Sequence, residues 1–224
     1  MIVGTLQDPA LPEPPRGKPV VPNIRGKIKI VVRDADGRVL DYREEEMHSF
    51  VSNFLGILYA VFGLGTSTIE DTSGYLIAMG TGAASAGAYI TIMAGSGVGS
   101  YGLVVGSGSY TVGPAVINLA AQIPNGTGSG QLYYQAMQAG TLTVSGNTTY
   151  FTFSRTFVNN SGGTITVSEI GVIAYVSGWT MTNKSTGSSQ SSDYFLIIYD
   201  VPSSAISVPN GASVTITYTI EVTA

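Results

Sequence analysis

The closing stretch TITYTIEVT, residues 215–223, alternates strictly: Ile216, Tyr218, Ile220 and Val222 are apolar, and each residue between them is Thr or Glu. Successive side chains on a strand point to opposite faces, so this pattern predicts a strand with one face against a core. The same period of two runs through Ile28, Ile30 and Val32. Asp36-Gly37 then supplies turn chemistry and Val39 and Leu40 begin a return, which predicts a hairpin over 27–42. From residue 72 onward come short β-prone runs punctuated by glycine: YLIAMG, AYITIMAG, YGLVVGSG, SYTVG, QLYYQAMQAGTLTVSGNTTYFTFSRTFV, TITVSEIGVIAYVSG and DYFLIIYDV. Within TITVSEIGVIAYV the parity changes between Val167 and Ile170, which predicts a bulge near Ser168 and Glu169.

One stretch breaks the alternation. In HSFVSNFLGILYAVFG, apolar residues recur at Phe50, Phe54, Ile57 or Leu58, and Val61. That spacing predicts a helix over 49–62, with Ser49 as its cap and Gly63 at its end. Val51, Leu55, Tyr59 and Phe62 make it apolar on nearly every side. The run is shorter than the roughly 20 apolar residues that span a bilayer. The expectation is therefore a helix buried in the chain's own core or between subunits.

These elements predict an all-β fold, a β-sandwich or jelly-roll-like barrel, with one inserted helix in a single domain over 25–224. Six of the ten prolines fall in the first 22 residues. Proline removes backbone donors and favours polyproline conformation, so residues 1–24 are expected to form an extended arm that lies on a neighbouring subunit. No basic segment followed by an apolar core follows Met1, so no secretory signal peptide is expected.

Charge sharpens this picture. The chain is 44% apolar but only 11% charged, against about 25% in ordinary soluble domains. Sixteen of the 24 charged residues lie in positions 1–46, eight of each sign, and Thr72 through Ser154 contains no Asp, Glu, Lys, Arg or His. Weak self-repulsion favours packing against copies of the same chain. The uncharged stretch is expected to be buried in the core or between subunits. Beyond residue 46 only Arg155 and Lys184 could meet phosphates, which argues against nucleic-acid recognition.

The residue types that carry chemistry are sparse. With no cysteine there is neither a disulfide framework nor a thiolate metal site. His48 is the single histidine, and its place beside Ser49 reads as a helix start rather than a catalytic base. Asp34, Asp36 and Gly37 read as turn chemistry, because a calcium loop needs further oxygen ligands and a closing Glu. Glu44, Glu45 and Glu46 read as a solvated approach to the helix. GVGSYG at 97–102 spells a dinucleotide fingerprint, but β-prone residues follow it where a helix is required. Glu169, Asp193, Asp200 and Glu221 would support glycoside hydrolysis only if they converged in space. No cofactor, metal or catalytic residue is expected. Sequons stand at Asn125, Asn147, Asn159 and Asn183.

Four stretches resemble virion proteins of tailed phages and archaeal viruses: VVRDADGRVLDYREEEMHSFVSNFLGILYAVF, VVGSGSYTVGPAVINLAAQIPNGTGSGQLYY, SRTFVNNSGGTITVSEIGVIAYV and VPNGASVTITYTIEVT. The resemblance implies a structural component of a virus particle, in capsid, decoration or tail, with copies of itself and other virion proteins as partners. A cellular extracellular filament or surface-layer subunit would use the same physics, and a virion receptor-binding module is a further alternative. Contacts between subunits are expected from Pro12, Pro14, Pro15 and Pro19 in the arm, from Phe50 and Phe54 in the helix, from Tyr101 and Tyr110, and from Ile216, Tyr218 and Ile220 along an exposed strand edge.

Overall fold

A computed structural model describes residues 23–83 and 86–223, and the arm expected over 1–24 lies almost wholly outside them. Of the described residues 52% are in strands and 5% in helix, with antiparallel sheets and one helix among them. This is an all-β, sandwich-like fold.

The predicted hairpin is longer than its alternation suggested. Strands β1 (Asn23–Arg33) and β2 (Val39–Glu46) are joined by a turn in which the Asp34 carboxylate accepts from the amides of Asp36 at 3.0 Å and Arg38 at 2.9 Å. Glu44, Glu45 and Glu46 belong to β2, not to a helix approach. Their sides alternate because the strand continues to pair with β1 as far as Lys27 and Glu46.

The rest of the first sheet comes from distant sequence. Strand β15 (Ser213–Thr223) lies between β1 and β10 (Thr148–Val158). Short strands β7 (Tyr133–Tyr134), β8 (Gln138–Ala139) and β9 (Thr143–Ser145) line the far side of β10. The closing strand is thus an interior strand, hydrogen-bonded on both sides.

The second sheet is built on β12 (Glu169–Asn183). One side of it pairs with β13 (Ser189–Asp200). Its other side is shared in succession by β6 (Gly102–Gly106), β5 (Tyr89–Thr91) and β4 (Leu76–Ala83), and β3 (Ser67–Glu70) follows β4. The parity change at Ser168 is not a bulge but a change of sheet. Strand β11 (Ile165–Val167) pairs in a separate ribbon with β14 (Ile206–Val208), and the Ser168 amide bonds to the Gly106 carbonyl at 2.8 Å as the chain enters β12. SYTVG, expected as a strand, is irregular, and within it the Tyr110 amide donates to the Tyr199 hydroxyl at 2.6 Å.

Between the sheets Ile28, Ile30, Val32, Phe153, Phe157, Val214, Ile216 and Tyr218 meet Leu103, Val105, Ile170, Val172, Leu196 and Ile198 in one buried core. Helix α1 (Ser52–Val61) forms a third layer, packing Ile57 and Ala60 on Ile69, Ile77, Met79, Ala174, Val176, Met181 and Phe195 from the outer side of the second sheet.

The helix begins three residues later than its pattern suggested, because tertiary pairing takes its first residues. Val51 donates to the Ile197 carbonyl at 3.1 Å and Ser49 accepts from the Tyr199 amide at 3.3 Å, so 49–51 run extended beside β13. Val51 caps the helix without a side-chain bond. Its end is as expected: Gly63 has φ +72°, its amide bonds to Ala60, and Leu64 bonds back to Tyr59. That is a Schellman closure, which needs a left-handed residue at the glycine position.

Helix and sheet touch at Gly56. A β-carbon there would come within 2.2 Å of Ile69 Cγ2. Gly56→Val is expected to cost about 1–3 kcal/mol by overpacking, read as a lowered Tm. An unchanged Tm would contradict the close helix docking.

Candidate assembly surface

Charge is densest on β1 and β2, with Glu70, Lys184 and Asp193 lying elsewhere in the fold. On β1 the residues alternating with the core row are Arg25, Lys27, Lys29 and Arg33, and the register sets Lys27 opposite Glu46, Lys29 opposite Glu44 and Arg25 opposite Glu221. Lys27 Nζ lies 3.1 Å from Glu221 Oε1. Exposed pairs of this kind add little stability. Their effect is to keep this face of the sheet hydrated. Among the described residues strand β2 pairs only with β1, and it carries Asp41, Arg43 and three glutamates. Charges on an edge strand oppose pairing with another chain.

The helix presents the opposite character. One side of α1 is held down by Asn53, whose amide donates to the Glu70 carbonyl at 2.7 Å and accepts from the Glu70 amide at 3.2 Å. The other side exposes Leu55 at 67%, Tyr59 at 44% and Phe62 at 68%, spaced as neighbours on a helix face, with Leu64 at 64% just beyond. From Met47 to Ile69 the only residue able to carry charge is His48. This helix is therefore not buried all round within one subunit. A recess of about 320 Å³ beside it is lined by Phe54, Ile57, Leu58, Val61, Ile90, Ile92 and Ile197, among others.

The residues expected to mediate contacts divide into groups. Ile216 and Tyr218 are fully buried in the chain's own core, so their side chains are not available to a neighbour, and Ile220 is half-buried. Phe50 and Phe54 stack at 4.2 Å between ring centres and are half-buried. Tyr101 is half-buried against Tyr175 and Tyr194, and Tyr110 is 47% exposed. Pro12, Pro14, Pro15 and Pro19 lie outside the described residues. Leu55, Tyr59 and Phe62, apolar positions of the helix pattern, are exposed where contacts are expected from Phe50 and Phe54. Ile24 and Val144, both exposed, were missed.

The carboxylates do not converge. Glu169 is buried, accepting from the amides of Ala120 at 2.9 Å and Ala121 at 2.7 Å and from the Tyr199 hydroxyl at 3.0 Å. Glu221 sits on the charged outer face with Lys27. Asp193 bonds the Tyr194 amide at 2.8 Å, and burial raises its carboxyl above the ordinary range. Asp200 is fully buried and accepts from the Tyr218 hydroxyl at 2.8 Å and from the His48 amide, with His48 Nδ1 at 3.3 Å. His48 thus holds the segment before the helix to the core. Among the described residues no cluster of three or more His, Cys, Asp or Glu side chains could hold a metal ion, and no helix is long and apolar enough to cross a membrane. Two sequons are closed in the fold: Asn159 and Asn183 are buried, Asn159 donating to the carbonyls of Gly163 and Val208 and Asn183 accepting from the amides of Ser185 and Thr186.

Burial raises the Asp200 carboxyl above its usual 3.8, with the bonds from His48 and Tyr218 opposing. The folded chain then keeps a proton that the unfolded chain has released. This group's contribution is fully present below the unfolded value and is lost as pH rises through the folded one. Asp200→Asn is expected to remove that decline. A difference in Tm between variant and wild type that stays constant across the weakly acidic range would contradict it.

Arg155 is one of the largest fully buried side chains. Among the described residues no carboxylate pairs with it. Instead its guanidinium donates to five carbonyls: Gln135 at 2.7 Å, Tyr101 at 3.3 Å, Leu103 at 2.9 Å, Gly95 at 3.1 Å and Val98 at 2.6 Å. The Tyr134 ring lies 4.8 Å from its Cζ. Burial lowers its pKa to about 10, which leaves it charged at neutral pH. The first cation after the uncharged stretch therefore gathers that stretch's backbone onto β10.

Compared with models of known protein families, with curated proteins and with solved structures, the chain matches none. What defines it is its all-β, sandwich-like fold and the segregation of charge and exposed apolar surface upon it.

Proposed function

We propose that this chain is a structural subunit that packs against copies of itself in a repetitive assembly, most specifically a virion capsid or tail. The observation that carries the reading is the exposed stripe Leu55, Tyr59 and Phe62 on α1, with Leu64 beyond it, uninterrupted by charge, while the lysine and glutamate ladders occupy the outer face of the first sheet. Isolated surface leucines need no explanation, but a contiguous apolar patch on a soluble chain marks a contact surface. A brick with one hydrated face and one adhesive side suits a layer or tube of identical units. The two sheets supply rigidity, and the contact needs no residue dedicated to chemistry. The virion setting rests on the resemblance of the four stretches quoted above; the self-packing rests on the surface. Electron micrographs and sedimentation of the purified full-length chain test the reading. Shells, tubes or fibres are expected, and a monomer at every concentration reached would refute it.

A further inference from the structure

The inner face of the first sheet is longer than its cover. Across β1, β15 and β10 the register forms rows that share a side: Val32, Val214 and Phe157; Ile30, Ile216 and Arg155; Ile28, Tyr218 and Phe153. Every residue in these three rows is at most 4% exposed. The next row is Gly26, Ile220 and Phe151, and Phe151 is already 41% exposed. In the last, Ile24 is 59%, Val222 38% and, across Thr149 on β9, Val144 is 73% exposed. Leu142, just before β9, is 65% exposed. The apolar alternation thus continues for two rows beyond the facing sheet. The furrow does not stop at β1, because Ile24 also lines a recess of about 280 Å³ with Phe50, Phe54, Leu55 and Pro114.

We propose that this furrow is the seat of residues 1–22 of a second copy of the chain. The inference rests on the self-assembly proposed above and names the surface that receives the arm. The occupant is argued from chemistry and from position. No charged side chain lies in the two uncovered rows or in the recess. The arm offers matching apolar groups, Ile2, Val3, Leu6, Leu11, Val20 and Val21, interspersed with its six prolines. Proline-rich segments are low-entropy ligands for aromatic-lined grooves, and the stacked Phe50 and Phe54 provide such a wall. At about 3.1 Å per residue in polyproline form, 22 residues reach roughly 70 Å. Crossing the four strands from β9 to β1 takes only about 15 Å. The donor is a neighbour because of the sequence at the junction. Pro19 and Pro22 each disfavour helical backbone at the residue before them, Lys18 and Val21, so an immediate reversal over Ile24 is disfavoured and the furrow is assigned to a neighbour's arm.

The native chain has no cysteine, so Leu142→Cys at the furrow's rim takes a benzophenone maleimide at one site. Full-length labelled chain at natural isotope abundance is assembled with unlabelled, ¹⁵N-substituted wild type, then photolysed and digested with trypsin. The expected product joins the labelled rim to the ¹⁵N peptide that ends at Arg16, and cleavage after Arg16 in the intact assembly is slowed at least tenfold relative to unassembled chain. Crosslinks only to the arm of the same chain, or only to other peptides, overturn the proposal. So does a normal assembly in which the arm is neither crosslinked nor shielded, and in that case the self-assembly reading survives. Failure of the unlabelled wild type to assemble at all overturns both. A second variant, Val144→Asp, is expected to restore cleavage after Arg16 to the unassembled rate; continued shielding in that variant also counts against the furrow.

Discussion

Arg155→Met is expected to cost about 4 kcal/mol or more, the scale that marks the breaking of a buried hydrogen-bond network. Methionine keeps much of the stem's packing against Tyr134 but supplies no donor. The carbonyls of Gly95, Val98, Tyr101, Leu103 and Gln135 would then share the loss of one guanidinium. A buried acceptor left without a partner costs about 1–3 kcal/mol, and relaxation of the 95–103 segment recovers part of the sum. Arg155→Lys should recover only some of the stability, since an ammonium has three donors where the guanidinium's planar fork has five. Urea unfolding measures both, and amide exchange should locate the damage at 95–103. A Met variant within 0.5 kcal/mol of wild type, the spread of ordinary surface substitutions, would show that the carbonyl cage is not what holds this segment.

The second large effect concerns association. Leu55→Lys together with Phe62→Lys is expected to leave the fold intact, because both side chains are about two-thirds exposed and the helix is held from its other side by Asn53, Ile57 and Ala60. Assembly should nevertheless fail. Residues at the centre of an interface commonly carry about 2 kcal/mol or more each, and a lysine ammonium forced into an apolar contact adds its desolvation cost. At about 1.4 kcal/mol per tenfold, the concentration needed for assembly should rise at least 100-fold. Glu44→Lys, on the charged face, is the contrasting variant and should assemble near the wild-type concentration. Sedimentation velocity reads all of these; normal particles from the double variant would remove α1 from the contact.

Much of the fold was legible because it is written locally. Alternation located β1 and β15, a β-prone run marked β10, Asp36-Gly37 marked the hairpin turn, and Gly63 marked the helix end through a left-handed backbone geometry that glycine adopts without strain. The start of the helix was not legible, since residues 49–51 have helical spacing and are drawn into extended pairing by β13, which lies about 150 residues away. Nor was the change of sheet at Ser168, which alters parity as a bulge would.

The candidate surface shows the same division more sharply. Ile216, Tyr218, Ile220 and Val222 form one unbroken alternation, yet Ile216 and Tyr218 are sealed in the core while Val222 is 38% exposed. By itself the sequence determined that these residues share a face, that Thr or Glu fills the positions between them, and that the helix is apolar on nearly every side. Only the tertiary structure decided which of them are covered and that Arg155 would find carbonyls instead of a carboxylate. The side on which a residue projects depends on its own strand. What lies above it depends on where a strand from elsewhere in the chain comes to an end.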